Sequence, residues 1–445
     1  MSTMGLILLA VFAVALLLVL VLAVRLHAFL ALLLTSLTVA ILGGIPLAEV
    51  VPKVQEAMGA SLGYIAVVIG LGAMFGEVLQ RSGAASGIAQ TLLARFGEDR
   101  APLALAVTGL LVAIPVFFDV AFILFVPLLY TLAERTGRAL VGFAIPLLAG
   151  LAVAHAFVPP TPGPVAVAGL IGADLGWVIL FGLAAGVPAL AVGGLWYGSF
   201  IAPRVTSAVP EALKVEPSEH DDPPSFGLSV GLISLPILLI LAATVSKVLL
   251  PAENQGRALL QFVGHPFVAL IMATLAAFYL LGIRRGFSRA ELQQMASKSL
   301  EPVGLILLVT GAGGVLGKML MATGVGEAVA NGLASTQMPL VLLAFLLAAV
   351  VRVAQGSATV AMVTGAGMVG PVIQSGDYSA PMLGAVTVAI AAGATVLSHV
   401  NDSGFWLVSR YLGLSERDTL RSWTVMTTLV GTTGFIVVLV LSFLL

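Results

Sequence analysis

Residues 70–83 read GLGAMFGEVLQRSG, and residues 311–324 read GAGGVLGKMLMATG. Gly70, Gly72, Gly76 and Gly83 each precede a glycine of the second stretch, Gly311, Gly313, Gly317 and Gly324, by 241 positions. The register holds far downstream, where Gly163 and Gly172 precede Gly404 and Gly413 by the same interval. A fixed spacing with little other identity marks two copies of one unit. In an apolar chain such a duplication is the pattern of a secondary transporter, with its site at interrupted helices near mid-membrane.

The chain is 60% hydrophobic and 9% charged, with a mean hydropathy of +1.13, far from the mix of a soluble domain. Apolar runs of roughly 20 residues, enough to span a bilayer, recur to the last residue. The fold class expected is therefore an all-α polytopic membrane protein of two inverted repeats. Full crossings are expected near 4–24, 26–45, 61–80, 140–158, 177–201, 228–250, 263–283, 302–320, 381–398 and 422–443. The first run has no basic leader and no small-residue cleavage site, and reads as a retained span. The absence of Cys removes disulfides and thiolate chemistry. A net charge of -1 without a basic block offers nucleic acid no footing. The most polar stretch, 204–225, reads as a linker. The repeats are accordingly 1–201 and 228–445, joined by a cytoplasmic linker at 202–227.

Two stretches are apolar but broken: 102–131 at PVFFD (115–119) and 342–372 at RVAQGSAT (352–359). Arms of about 15 residues reach roughly 22 Å as helix, short of the roughly 30 Å hydrocarbon core. Both read as re-entrant hairpins. Two further breaks are PPTPGP (159–164) and SHVNDSG (398–404).

Basic loops test the duplication independently, because they face the cytoplasm. Arg81, Arg95, Arg100, Arg135 and Arg138 fill two loops of the first copy, and their counterparts 322–341 and 373–380 hold no Lys or Arg. Conversely, Arg284, Arg285, Arg289 and Lys298 crowd a second-copy loop whose counterpart, 46–60, has only Lys53. Arg410, Arg417 and Arg421 likewise answer a bare first-copy loop at 169–176. The opposed pattern, with five crossings per half, sets the copies upside down relative to each other.

Polar backbone at membrane depth survives only against protein or a water-filled cavity, so the four breaks are the site candidates. The 241-residue offset pairs Thr161 with Asp402 and Gly163 with Gly404, and these breaks are expected to meet across the pseudo-symmetry axis. Asp119, behind two phenylalanines and without a basic neighbour in sequence, is a candidate proton carrier. Arg352 suits either a clamp on a carboxylate or a counter-ion to Asp119 or Asp402. Gln355, Ser357, Thr359, Asn401, Asp402 and Ser403 supply donors and acceptors for hydroxyls or a coupling ion. His399 and Asp402 compete with Asp119 for the proton. His155, on an apolar crossing, reads equally well as a satisfied core histidine. Residues 312–319 (AGGVLGKM) only approximate a P-loop and follow no strand. The glycines there read as close helix packing, and Glu77 and Lys318 beside them as either an ion pair or interfacial side chains. No enzyme motif and no cofactor or metal site is legible.

At FFDVAFILFVPLL (117–129), PPTPGP (159–164), RVAQGSATVAM (352–362) and SHVNDSGFW (398–406) the chain resembles the gluconate permease family of the ion transporter superfamily. The resemblance implies proton-coupled uptake of gluconate or a related small hydroxy acid across a bacterial inner membrane, in a homodimer with a moving transport part. Carriers of idonate, fructuronate, glycerate and D-serine share the family. The residues themselves leave two alternatives open, a sodium-coupled carboxylate carrier and an anion channel.

Overall fold

The structure is a computed structural model that describes residues 2–205, 223–301, 303–325, 328, 338–400 and 402–445. Among these residues every regular element is helical. Among the described residues seven helices are long and apolar enough to cross a membrane: Leu47–Arg81, Leu140–Ile171, Leu175–Arg204, Phe226–Leu249, Pro266–Arg285, Arg289–Ala322 and Glu416–Ser442. Most of the linker read at 202–227 lies outside the described residues.

The first half runs α1 (Thr3–Leu22), α2 (Ala28–Leu42), α3 (Leu47–Arg81), α4 (Ala84–Phe96), α5 (Ala101–Val112), α6 (Phe118–Thr136), α7 (Leu140–Phe157), α8 (Pro162–Ile171) and α9 (Leu175–Arg204). The second half opens with α10 (Phe226–Leu249), a short α11 (Gln255–Val263) and α12 (Pro266–Arg285). It continues through α13 (Arg289–Ser299), α14 (Val303–Ala322), α15 (Leu340–Gln355), α16 (Ala358–Gln374), α17 (Ala380–Gly393), α18 (Ser403–Tyr411) and α19 (Glu416–Ser442). Shifted by 241, Arg81 falls on Ala322, Pro162 on Ser403 and Leu175 on Glu416, so the ends of α3 and the starts of α8 and α9 recur at the expected residues. The order of elements in the two halves is consistent with an inverted duplication.

Three stretches expected as loops are helices. Of residues 46–60, Pro46 is the N-cap and 47–60 form the first turns of α3, where Val50 and Ala57, seven apart, are both buried. In α4, Ala85, Ile88, Ala89 and Leu92 make one buried stripe at helical spacing. In α13, Ser288 and Glu291 cap the helix reciprocally. α4 carries one charge, Arg95, and is buried over much of its length, whereas α13 buries only Leu292 and Ser299 and its polar remainder dominates a linear reading.

The glycine register serves close packing. A Cβ on Gly367 of α16 would stand 2.6 Å from the Gly313 carbonyl oxygen of α14, and one on Gly317 would stand 3.0 Å from that of Gly367. In the first copy Gly76 lies instead under the Pro115 carbonyl at the hairpin tip, where a Cβ would collide. The copies therefore share glycines but pack differently: α16 lies along α14 and α8, whereas α6 makes no such bed on α3 and meets α18 only marginally. Glu77 pairs with Arg81 of its own helix at 3.0 Å and not with Lys318. Asp174 ties the start of α9 to α10: it meets Lys247 Nζ at 2.5 Å and accepts from Thr244 Oγ1 at 2.7 Å. Burial alone would raise its pKa, but these partners and the Gly176 N–H outweigh burial and hold it below the ordinary carboxylate value.

Candidate functional site

The breaks follow from local chemistry. Gly356, at φ +88°, takes the left-handed position that ends α15, its N–H bonding the Arg352 carbonyl at 2.9 Å. Ser357 then caps α16, its Oγ accepting from Val360 N at 3.4 Å. A glycine stop followed at once by a serine start makes the second hairpin tip. In the first hairpin α5 ends at Val112 and α6 begins at Phe118, across Pro115. Asp402 caps α18, its Oδ1 accepting from Gly404 N at 3.0 Å. Thr161 precedes Pro162 at the start of α8, and its Oγ1 donates to the Val158 carbonyl at 2.7 Å.

The two hairpin tips and the Asp402 cap line a cavity of about 560 Å³, within the range of roughly 300–1,000 Å³ usual for small-molecule sites. Phe117, Phe118 and Asp119 line it from the first hairpin, and Arg352, Ser357 and Thr359 from the second. Asp402 and Ser403 come from α18, His155 from α7, and Trp423 and Thr427 from α19.

Charge is organised around one buried pair. Arg352 Nη2 meets Asp402 Oδ2 at 2.5 Å, with the two side chains 4% and 13% exposed. Arg352 Nη1 donates to the Gly356 carbonyl, closing the tip on itself, while Nε is buried without a partner. Asp402 Oδ2 also accepts from Ser398 Oγ, which in turn accepts from Trp423 Nε1 at 2.6 Å. The Ser398 backbone is held by Thr424 and Thr427. A network from α19 to α15 therefore fixes the SHVNDSG break. Asp119 is different. It makes no hydrogen bond or ion pair with any described residue and is exposed to the cavity.

Six of the expected residues thus share one cavity: Asp119, Arg352, Ser357, Thr359, Asp402 and Ser403. Thr161 lines a second, much smaller cavity of about 10 Å³ behind the first hairpin tip, room for about one water. No hydrogen bond joins Thr161 to Asp402; Phe117 and His155, which line both cavities, lie between the two breaks. Gly163 packs on Met362, whose Sδ would stand 2.5 Å from an added Cβ. His399 is outside the cavity lining, its Nε2 3.0 Å from the Val353 carbonyl oxygen. Asn401 and the side chain of Gln355 lie outside the described residues. Linear reading missed Trp423 and Thr427; their four-residue spacing on one helix face is the signal that could have found them.

Residues 4–444 match the family model described as GntP family permease. The chain belongs to this family. Across 437 residues, covering 98% of both chains, it is 42% identical to the low-affinity gluconate transporter of Escherichia coli K12. It is 36% identical over 430 residues, 96% of this chain and 97% of the other, to the Gnt-II system L-idonate transporter of the same organism. Among solved structures, MtrF of Neisseria gonorrhoeae, of a class of antimetabolite efflux pumps, aligns with a TM-score of 0.66 at 15% identity. That match covers 90% of this chain and 85% of MtrF and shows a shared fold. This GntP-family chain is a multi-pass membrane transporter and not an enzyme.

Proposed function

We propose that this permease takes up gluconate or a closely related sugar acid together with protons, by alternating access in a bacterial inner membrane, working as a homodimer. The observation that carries the reading is the unpaired Asp119 beside the balanced Arg352–Asp402 pair. With that pair neutral as a unit, Asp119 sets the charge of the cavity. A carboxylate substrate enters at least electrostatic cost when Asp119 holds a proton. Inward movement of one negative charge against an inside-negative potential costs roughly 2.3 kcal/mol per 100 mV. One co-transported proton cancels that cost, and a second makes the potential a driving force. The relatives' substrates, gluconate and L-idonate, are both polyhydroxylated monocarboxylates, and Ser357, Thr359 and Ser403 offer hydroxyl partners. Unequal packing of the hairpins, α16 bedded on α14 and α6 on α7 instead of α3, suits a state open on one side only.

Uptake into proteoliposomes under imposed gradients tests the coupling. An inward proton gradient should drive gluconate accumulation and a sodium gradient should not; the reverse result would establish the sodium-coupled alternative. Passive equilibration without counterflow would indicate a channel.

Orientation has its own test. The chain has no Cys, so single cysteines report one site each. Positions near Arg95, Arg138, Arg289 and Arg417 should react only from the cytoplasmic side, and those near Gly59, Asp174 and Asp377 only from outside. The expected outward site near Asn331 lies outside the described residues. Arg289 and Gly59 labelling from the same side would end the inverted reading.

A further inference from the structure

We propose that His155 reads the substrate, its Nε2–H donating to one hydroxyl of the sugar acid held in the cavity. The proposal rests on the substrate reading above and adds a residue to it. His155 is the sole ionisable residue of α7, an otherwise apolar and almost wholly buried helix. Its ring lines both the main cavity and the smaller one behind the first hairpin tip. Nδ1 is sealed from solvent and has no partner. Nε2 also has no bond to any described residue, yet it is not among the sealed atoms, so it is the nitrogen open to the cavity. An unpaired lone pair is tolerated in a buried site better than an unpaired N–H. The proton therefore belongs on Nε2, and the neutral ring presents a donor to the cavity.

The surroundings make this donor useful. Arg352 has both Nη groups engaged, on Asp402 and on the Gly356 carbonyl. Phe118 lies 6.4 Å from the imidazole and 5.4 Å from the Trp423 ring, forming an apolar wall beside it. The position 241 residues on is Val396, buried and apolar. The donor thus exists on one side of the pseudo-symmetric site only, which lets the cavity distinguish the two ends of a bound chain of hydroxyls.

The test is equilibrium binding by calorimetry to the full-length protein in nanodiscs. The probes are gluconate and its monodeoxy analogues, and the variants are His155→Leu, His155→Gln and His155→Asn. His155→Leu should bind gluconate about tenfold more weakly, the weight of one hydrogen bond. His155→Gln, whose amide nitrogen approximates the place of Nε2, should stay within about threefold; His155→Asn, which is too short, should resemble Leu. One deoxy analogue should bind the wild type about tenfold more weakly than gluconate, and lose nothing further with His155→Leu. Equal affinity in all variants overturns the assignment. So does a uniform loss for every analogue in Leu, Asn and Gln alike, which is the mark of a packing role. Should His155→Leu fail to fold, the contrast between Gln and Asn decides alone. Failure of the wild type to bind gluconate or any analogue would overturn the substrate reading itself, and this assignment with it.

Discussion

Arg352→Gln should leave a protein that no longer transports and is destabilised by about 3–5 kcal/mol, the cost of stranding a buried charge when its partner is removed. The charge stranded is Asp402, which is 13% exposed and shares its Oδ2 between Arg352 and Ser398. The same substitution frees the Gly356 carbonyl at the hairpin tip. Adding Asp402→Asn should restore most of the stability, because a neutral pair of similar volume replaces an ion pair at little net cost. It should not restore uptake, if the pair's charge is part of the site. Arg352→Lys separates the roles further: a point charge can still meet Asp402 but cannot hold Gly356 in the same fork, so stability should fall less than binding. The measurements are thermal unfolding in detergent and gluconate affinity on the folded fraction. Full transport by the neutral double variant would reduce Arg352 and Asp402 to a structural brace.

Asp119→Asn should uncouple the transporter. The substitution keeps size and mimics the protonated acid, so substrate should bind and exchange across the membrane at near wild-type levels. Accumulation against a gradient should be lost, and the pH dependence of exchange should flatten, since the residue that sets the cavity's charge no longer titrates. Asp119 suits this test because no described residue holds it: its replacement removes no ion pair and no hydrogen bond. Proteoliposomes allow accumulation and exchange to be measured on one preparation across pH. Asp402→Asn and His399→Gln serve as comparisons. The first sits in the buried network, and the second is tied to the Val353 carbonyl away from the cavity lining. Wild-type accumulation and pH dependence in Asp119→Asn would move the proton to one of these.

Much of the architecture was legible because its causes are local. The 241-residue glycine interval reappears as recurring helix ends, and the hairpin tips fall where Pro115 and the Gly356–Ser357 pair stop one helix and start another. The helices α4 and α13, expected as loops, were not legible. α4 has 13 residues and α13 has 11, of which only Leu292 and Ser299 are buried, so neither offers the long apolar run by which a crossing is read.

The sequence by itself determined that this is a polytopic helical membrane protein with a 241-residue glycine register, where its helices break, and which polar residues stand at the breaks. Backbone preferences and hydrophobic length act over a few residues, so a linear reading captures them. Only the tertiary structure decided which breaks share a cavity. It joined Arg352 to Asp402 across 50 positions, left Asp119 alone beside them, and set Thr161 behind the hairpin tip. It also brought His155 and Trp423, from continuous helices, to the cavity wall. The reason is physical: charge pairing and enclosure depend on distances across the fold, and helices that look alike in composition acquire different neighbours when they pack.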